Sequence, residues 1–216
     1  ATMLRGGAYK PRTSPYEFQG LGEEGLKLLS KAREETGLPI VTELLSQDHA
    51  ELVADYADML QIGTRNAQNF QLIIAAAKTG KPVLLKRGMS MRIMEWLLAG
   101  EYVLANQNSN LLFCERGVRT FEDYTRNTLD LSAVAVVKNE SHCPIVVDPS
   151  QGCGKASLVR AMCKGAVAMG ADALIVEVHP DPTHAISDAA QQIDLEGFNE
   201  LMKELVPIAE SVGREM

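Results

Sequence analysis

The pattern of apolar and polar positions alternates regularly between two kinds of segment. Short apolar runs rich in β-branched residues are typical of buried parallel strands, and most of them are followed by a helical pattern. Seven runs predict strands: Thr2–Arg5, Pro39–Glu43, Met59–Ile62, Pro82–Lys86, Leu111–Glu115, Pro144–Asp148 and Ala173–Val178. Helices are predicted over Gly22–Glu35, Gln47–Tyr56, Asn69–Lys78, Ser90–Leu104, Leu158–Ala168, Leu195–Ile208 and, with less clear ends, Thr120–Ser132. This alternation predicts an α/β fold, a parallel sheet with helices outside it.

Length and composition narrow the class of protein. No linker or shift in composition marks a second domain, so residues 1–216 are expected to form a single domain. The net charge of −7 argues against a nucleic-acid-binding protein. No apolar run approaches the roughly 20 residues of a membrane span. The chain contains 4 cysteines but no C-x-x-C pair, and no segment resembles a signal peptide. We therefore expect a cytoplasmic protein without disulfides.

Charged residues recur where the predicted strands end. Arg5 ends the first strand, Glu43 the second and Lys86 the fourth, and similar ends are Glu115 with Arg116, Asp148 and Glu177. Each one alone is explained by a solvated strand end. Their joint recurrence favours a convergent polar site, since the carboxyl ends of parallel barrel strands meet at one face.

The charges at these ends indicate a ligand of opposite sign. Guanidinium and ammonium groups suit phosphate and carboxylate oxygens, and two phosphorylated substrates would neutralise so many cations better than one. The cations concerned are Arg5, Lys10, Arg12, Arg65, Lys86 and Arg116. The carboxylates Glu43, Asp148, Glu177 and Asp188 add either metal-binding or proton-transfer capacity.

The segment LRGGAYKPRTSPY, residues 4–16, is the most distinctive. Its paired glycines permit close approach of the backbone to a ligand, and its prolines stiffen the loop that carries Lys10, Arg12 and Thr13. An ordinary exposed turn is the alternative, but such turns seldom combine these glycines and prolines with cations.

The sequence resembles the 3-deoxy-D-arabino-heptulosonate 7-phosphate (DAHP) synthases, which open the shikimate pathway, in the subfamily related to 3-deoxy-manno-octulosonate 8-phosphate synthase. The motifs are LRGGAYKPRTSPYEFQGLG, QIGTRN, PVLLKRGM, CERGVRTFE, TRNTLDLSAV, IVVDPS, EVHPDP and SDAAQQ. They cover nearly the whole chain, and Lys10-Pro11-Arg12-Thr13 favours the heptulosonate branch.

The resemblance implies a (β/α)8 TIM-type barrel that condenses phosphoenolpyruvate with erythrose 4-phosphate and releases inorganic phosphate. Seven strand–helix units are found in the sequence, and the family's first unit is expected to precede Ala1. By the same resemblance, Arg5, Arg65, Lys86 and Arg116 would hold phosphoenolpyruvate, and Arg12 and Thr13 would hold erythrose 4-phosphate. Lys10 and Glu43 are the catalytic candidates, with Lys10 as proton donor. Association into a dimer or tetramer is also expected.

The implied metal site is incomplete. The family binds a divalent metal (Mn, Fe, Zn or Co) through Cys, His, Glu and Asp, and Glu177 and Asp188 match two of these ligands. Gln151 stands at the histidine position, and the cysteine would lie on the first strand. Two alternatives therefore stay open: a relative without activity that binds phosphorylated ligands or a partner subunit, and a synthase that works without metal through Lys10.

Overall fold

The computed structural model describes residues 1–216, which divide into two compact units. The first unit comprises residues 1–88 and 94–112, and the second comprises residues 89–93 and 113–216. The chain forms seven parallel strands, as the hydrophobic pattern predicts, and eight α-helices, one more than it predicts; α6 and α7 follow one another without a strand between them. The prediction that residues 1–216 form a single domain stays a prediction.

The first unit contains four parallel strands that pair in chain order: β1 (Leu4–Arg5), β2 (Ile40–Glu43), β3 (Met59–Ile62) and β4 (Val83–Lys86). Its helices are α1 (Glu23–Thr36), α2 (Ala50–Tyr56), α3 (Phe70–Lys78) and α4 (Ile93–Leu104), of which α4 begins one residue before the unit's second segment. The register places Val41 beside Met59 and Leu60 beside Val83. The carboxyl ends of these strands therefore lie at one edge of the sheet.

Local sequence signals set several ends of these elements. The Asn69 side chain accepts a hydrogen bond from the Leu72 amide at 3.3 Å and so caps the start of α3. Gly37 ends α1 in the left-handed conformation with φ 72°, which glycine adopts without steric cost. In α4, the fully buried Trp96 donates its indole N–H to the Leu85 carbonyl at 3.1 Å. That bond fixes α4 onto the end of β4.

The second unit contains the strands β5 (Leu111–Glu115), β6 (Ile145–Val147) and β7 (Ala173–Leu174), which also pair in parallel. Strand β5 begins in the last two residues of the first unit. The helices are α5 (Ser132–Glu140), α6 (Pro149–Cys153), α7 (Ala156–Ala168) and α8 (Leu195–Ser211). Val159 and Cys163 of α7 pack with Leu201 and Leu205 of α8 in one buried cluster.

The Asp172 carboxylate, just before β7, links several elements of the second unit. Its oxygens accept hydrogen bonds from the Ile145 amide at 2.8 Å and from Lys138 at 3.0 Å, and it pairs with Arg214. Burial opposes its charge, but the Ile145 amide, Arg214 and Lys138 outweigh burial and lower the pKa of Asp172. Asp172 thereby joins β6, α5 and the C-terminal segment.

The helix predicted over Thr120–Ser132 is wrong. The helix here is α5, which begins at Ser132, and residues 120–131 form turns. Threonine side chains take over the local hydrogen bonding: Thr120 accepts from the Glu122 amide at 3.2 Å, and Thr125 donates to the Asn127 carbonyl at 2.8 Å. Such bonds compete with helix formation. The prediction also overextends the last strand, because β7 ends at Leu174 and Val178 makes only an isolated bridge to Ile193.

None of the helices combines the length and the apolar character that crossing a membrane requires.

Candidate functional site

Glu43 lies at the centre of a group of cations in the first unit. Burial raises the pKa of its carboxyl, and four nearby cations act in the opposite direction without cancelling the effect of burial. In order of strength they are Lys86, Arg5, Arg65 and Lys10. The structure thus brings together both catalytic candidates and three of the predicted phosphoenolpyruvate-binding residues.

Lys86, the last residue of β4, opposes the raised pKa of Glu43 more than the other three cations do, and it is only 4% exposed. An ammonium group is rarely buried to this extent unless an opposite charge accompanies it. Glu43 supplies such a charge from the end of β2. Four cations thus act on one buried carboxylate, and clustered cations attract an anion.

The loop between β1 and α1 presents Lys10, Arg12 and Thr13. Backbone hydrogen bonds from Lys10 N to Gln19 O at 2.8 Å and from Gly22 N to Ala8 O at 2.9 Å close it on itself. Gly20 is required there, since its φ is 98° and a Cβ would lie 2.1 Å from the Ala8 carbonyl oxygen. The distinctive motif is therefore a structured loop.

Thr13 and Arg12 of that loop each make a side-chain hydrogen bond. The Arg65 guanidinium donates to the Thr13 hydroxyl at 3.3 Å, so a predicted phosphoenolpyruvate ligand contacts a predicted erythrose 4-phosphate ligand. The Arg12 Nε donates to the Phe18 carbonyl at 2.9 Å. That bond orients the guanidinium group on the loop.

Two neighbours of Glu43 escaped the sequence-based prediction. Gln61 of β3 donates from Nε2 to Glu43 Oε2 at 3.2 Å, is 2% exposed, and has no hydrogen-bond partner at Oε1. Gly63 lies so close that a Cβ there would be 1.9 Å from Glu43 Oε1. Both residues belong to the QIGTRN motif, which points to this place without indicating their roles.

Arg116, Gln151 and Glu177 form a hydrogen-bonded row in the second unit. Arg116 Nη2 donates to Gln151 Oε1 at 3.2 Å, and Gln151 Nε2 donates to Glu177 Oε1 at 3.0 Å. Asp148 sets the backbone position of Gln151 by capping α6, because its Oδ1 accepts from the Gln151 amide at 2.9 Å.

The row continues to Asp188 on the other side of Glu177. Gln191 Nε2 donates to Glu177 Oε2 at 2.8 Å, and Arg126 Nη1 donates at 3.0 Å both to Gln191 Oε1 and to Asp188 Oδ1. Asp188 adopts the left-handed conformation with φ 56°. The two predicted metal ligands thus share one network, in which side-chain amides and guanidinium groups contact them.

These residues do not fit a transition metal. Such ions prefer imidazole and thiolate ligands, and no group of three or more His, Cys, Asp or Glu side chains is placed to hold an ion. The Cys153 thiol donates instead to the Pro149 carbonyl at 2.9 Å and is buried in the packing of α6. Glu177 and Asp188 belong to one network with hydrogen-bond donors around them, and their assignment as metal ligands stays a prediction.

Comparison with known proteins identifies the family. The family model described as "DAHP synthetase I family" matches residues 1–211. A phospho-2-dehydro-3-deoxyheptonate aldolase of Thermotoga maritima is 53% identical over 211 residues, which are 98% of this chain and 62% of that protein. A 2-dehydro-3-deoxyphosphooctonate aldolase of Syntrophotalea carbinolica is 34% identical over 209 residues, 91% of this chain and 74% of that protein.

Solved structures agree with this relationship. The crystal structure of the Thermotoga maritima phospho-2-dehydro-3-deoxyheptonate aldolase (DAHP synthase) superposes with a TM-score of 0.96 at 52% identity, covering 99% of this chain and 63% of that one. A truncated form of the Thermotoga maritima DAHP synthase gives 0.92 at 48% identity, covering 99% and 78%. The predicted α/β barrel class and the resemblance to DAHP synthases are thereby confirmed.

The extent of the match sets what the comparisons establish. The chain spans only 62% of the length of the Thermotoga relative. A match to the family model over residues 1–211, together with the 53% identity, places the sequence unambiguously: the chain belongs to the DAHP synthetase I family.

Proposed function

We propose that this chain acts as a DAHP synthase, condensing phosphoenolpyruvate with erythrose 4-phosphate at the first step of the shikimate pathway. The observation that carries the proposal is the group of four cations around Glu43 in a chain whose net charge is −7. Family membership supports the same reaction. The relationship to known synthases does not favour the alternative of a relative without activity.

The cations near Glu43 would bind phosphoenolpyruvate. Its carboxylate and its phosphate require several charge-assisted hydrogen bonds, and guanidinium groups offer two parallel donors to each. Arg5, Arg65 and Lys86 of the first unit would supply these donors, and the role predicted for Arg116 stays a prediction. The cations that act on Glu43 favour binding of a multiply charged anion.

Arg12 and Thr13 would bind erythrose 4-phosphate. The Thr13 hydroxyl accepts from Arg65 at 3.3 Å, so binding of one phosphorylated substrate would order a residue that binds the other. An ordered loop lowers the entropic cost of bringing two substrates together.

The reaction joins C3 of phosphoenolpyruvate to the aldehyde carbon of erythrose 4-phosphate. The aldehyde oxygen gains a proton, for which Lys10 is the proposed donor. Water adds to C2 of the former phosphoenolpyruvate, and inorganic phosphate leaves from C2. Glu43, whose carboxyl has a raised pKa, is the proposed acceptor of the proton from that water.

Members of the family are generally metal-dependent, with Mn, Fe, Zn or Co as the expected ions. The residues around Glu177 do not fit such an ion, so no step above passes through a metal. A cytoplasmic location and assembly into a dimer or tetramer stay predictions.

Phosphate release tests the proposed function. The purified chain is given both substrates, with and without divalent metals, and inorganic phosphate and the condensed product are measured. Arg65→Ala should raise the KM for phosphoenolpyruvate by about 10–100-fold, since it removes a charged hydrogen-bond donor. Lys31→Ala removes a positive charge from an exposed position on α1 and should leave KM unchanged. Absence of phosphate release with every metal would overturn the proposal.

A further inference from the structure

We propose that a network of hydrogen bonds takes the place of the divalent metal in this chain, and that Gln151 is the residue that prevents metal binding. The network consists of Arg116, Gln151, Glu177, Gln191, Arg126 and Asp188, all in the second unit. It contains both carboxylates that the family resemblance assigns to the metal. The inference concerns metal binding and needs no turnover for its test.

The orientation of the Gln151 amide follows from its two neighbours. Arg116 has only donors, and it contacts Gln151 Oε1 at 3.2 Å. The Gln151 NH2 group must then face Glu177, whose Oε1 lies 3.0 Å from Nε2. Rotating the amide by half a turn would set donor against donor at Arg116 and oxygen against oxygen at Glu177. Gln151 therefore presents hydrogens, and no lone pair, to the carboxylate.

Gln191 is held in the same way on the opposite side of Glu177. Arg126 donates to Gln191 Oε1 at 3.0 Å, and Gln191 Nε2 donates to Glu177 Oε2 at 2.8 Å. Each oxygen of Glu177 thus accepts from an amide whose own oxygen is engaged by an arginine. This arrangement repeats one donor–acceptor pattern twice, so the two amides fix the plane of the carboxylate between them.

The second carboxylate of the implied site is neutralised directly. Arg126 Nη1 lies 3.0 Å from Asp188 Oδ1, and the Asp188 side chain is only 14% exposed. The network thus contains two guanidinium groups and two carboxylates, whose formal charges balance. A divalent cation placed there would be repelled by the guanidinium groups of Arg116 and Arg126. It would also displace the hydrogen bonds that Glu177 and Asp188 already accept.

A histidine at the same position would reverse this preference. A neutral imidazole carries a lone pair on one ring nitrogen and binds first-row transition metals well, whereas an amide oxygen binds them weakly. With histidine at position 151, Glu177 and Asp188 would gain a third ligand beside them. The side chain at position 151 therefore determines whether Glu177 faces amide hydrogens or a further metal ligand.

Metal titration tests the inference. The purified chain is freed of metal with a chelator and titrated with Co²⁺, which is followed by calorimetry and by the visible absorption of tightly bound cobalt. Wild type should show no saturable binding at micromolar metal. Gln151→His should bind Co²⁺ at least about 100-fold more tightly, since even outer ligands change metal affinity by 10–100-fold.

A control variant and a folding check accompany the cobalt titration. Gln68→His adds a histidine at an exposed position and should titrate like wild type. Circular dichroism confirms that both variants are folded, and if Gln151→His does not fold, the wild-type titration alone decides. Stoichiometric Co²⁺ binding by wild type, or no gain in a folded Gln151→His protein, would overturn the inference. Absent phosphate release would count only against the proposed function.

Discussion

The side-chain amide of Gln61 donates a hydrogen bond to Glu43 across 3.2 Å, while the amide's own oxygen is buried without a partner. A donor that faces a carboxylate stabilises its charged form and opposes the effect of burial. Gln61 therefore holds the orientation of Glu43. It is a positioning residue if Glu43 accepts a proton in the reaction.

Replacing Gln61 by leucine tests this role. Gln61→Leu removes a donor that favours the charged carboxylate, so the pKa of Glu43 should rise further. The acidic limb of the pH–activity profile should then move to higher pH, because the carboxylate form is lost earlier as pH falls. Gln68→Leu, at an exposed site, should leave the profile unchanged. An unshifted profile for Gln61→Leu would show that Glu43 is not the group that titrates.

Glu43 should lower the stability of the folded chain at neutral pH. Its carboxyl has a higher pKa in the folded chain than the ordinary 4.5, so folding becomes less favourable as pH rises from about 4.5 through the folded value. Glu43→Gln should therefore raise the midpoint of urea unfolding at pH 7 relative to wild type and abolish phosphate release. At pH below 4.5 the two proteins should unfold at the same urea concentration, because wild-type Glu43 is then also neutral. A midpoint at pH 7 below that of wild type would contradict this expectation.

Gly63 should tolerate no side chain. A Cβ at this position would lie 1.9 Å from Glu43 Oε1, so Gly63→Ala must displace the carboxylate or the backbone. We expect a loss of about 1–3 kcal/mol in the free energy of unfolding, typical of overpacking, together with loss of activity. Gly165→Ala is the matched control, since its nearest contact is the flexible end of Leu131 at 3.1 Å. Wild-type activity in Gly63→Ala would show that the position of Glu43 is unimportant.

Asp172 should make stability fall in acid. Its pKa is lowered in the folded chain, so its contribution is present above the ordinary value of 3.8 and is lost as pH falls through the folded value. Asp172→Asn should lower the free energy of unfolding at pH 7 by about 1–3 kcal/mol, the worth of a charged hydrogen bond. The deficit should shrink as the pH of the urea titration is lowered toward that range. Asp48→Asn, on an exposed 3₁₀-turn, should cost little at any pH.

The sequence predicts the elements well because their signals are local. The β-branched runs that end in Glu43 and Lys86 appear as β2 and β4, and the cations that follow the strand ends do surround Glu43. Between residues 120 and 131 the same reasoning fails, since threonine hydroxyls bond the backbone and exclude a helix. Hydrophobic spacing carries no information about those bonds.

The immediate surroundings of the two carboxylates were less predictable. The contact between Gln61 and Glu43 joins neighbouring strands, and its identity depends on the register of β2 against β3. Likewise, Gln151 is recognised from the sequence as an exception at a histidine position. Its role as a donor to Glu177 follows only from the position of Arg116, 35 residues away along the chain.

The place of Gln151 between Arg116 and Glu177 also has a genetic consequence. Glutamine and histidine codons differ only in the third base, so one transversion separates an amide that faces Glu177 with hydrogens from an imidazole that offers a lone pair. The histidine that the family resemblance assigns to this position is therefore a single nucleotide away from the glutamine found here, and with it a change in what Glu177 faces.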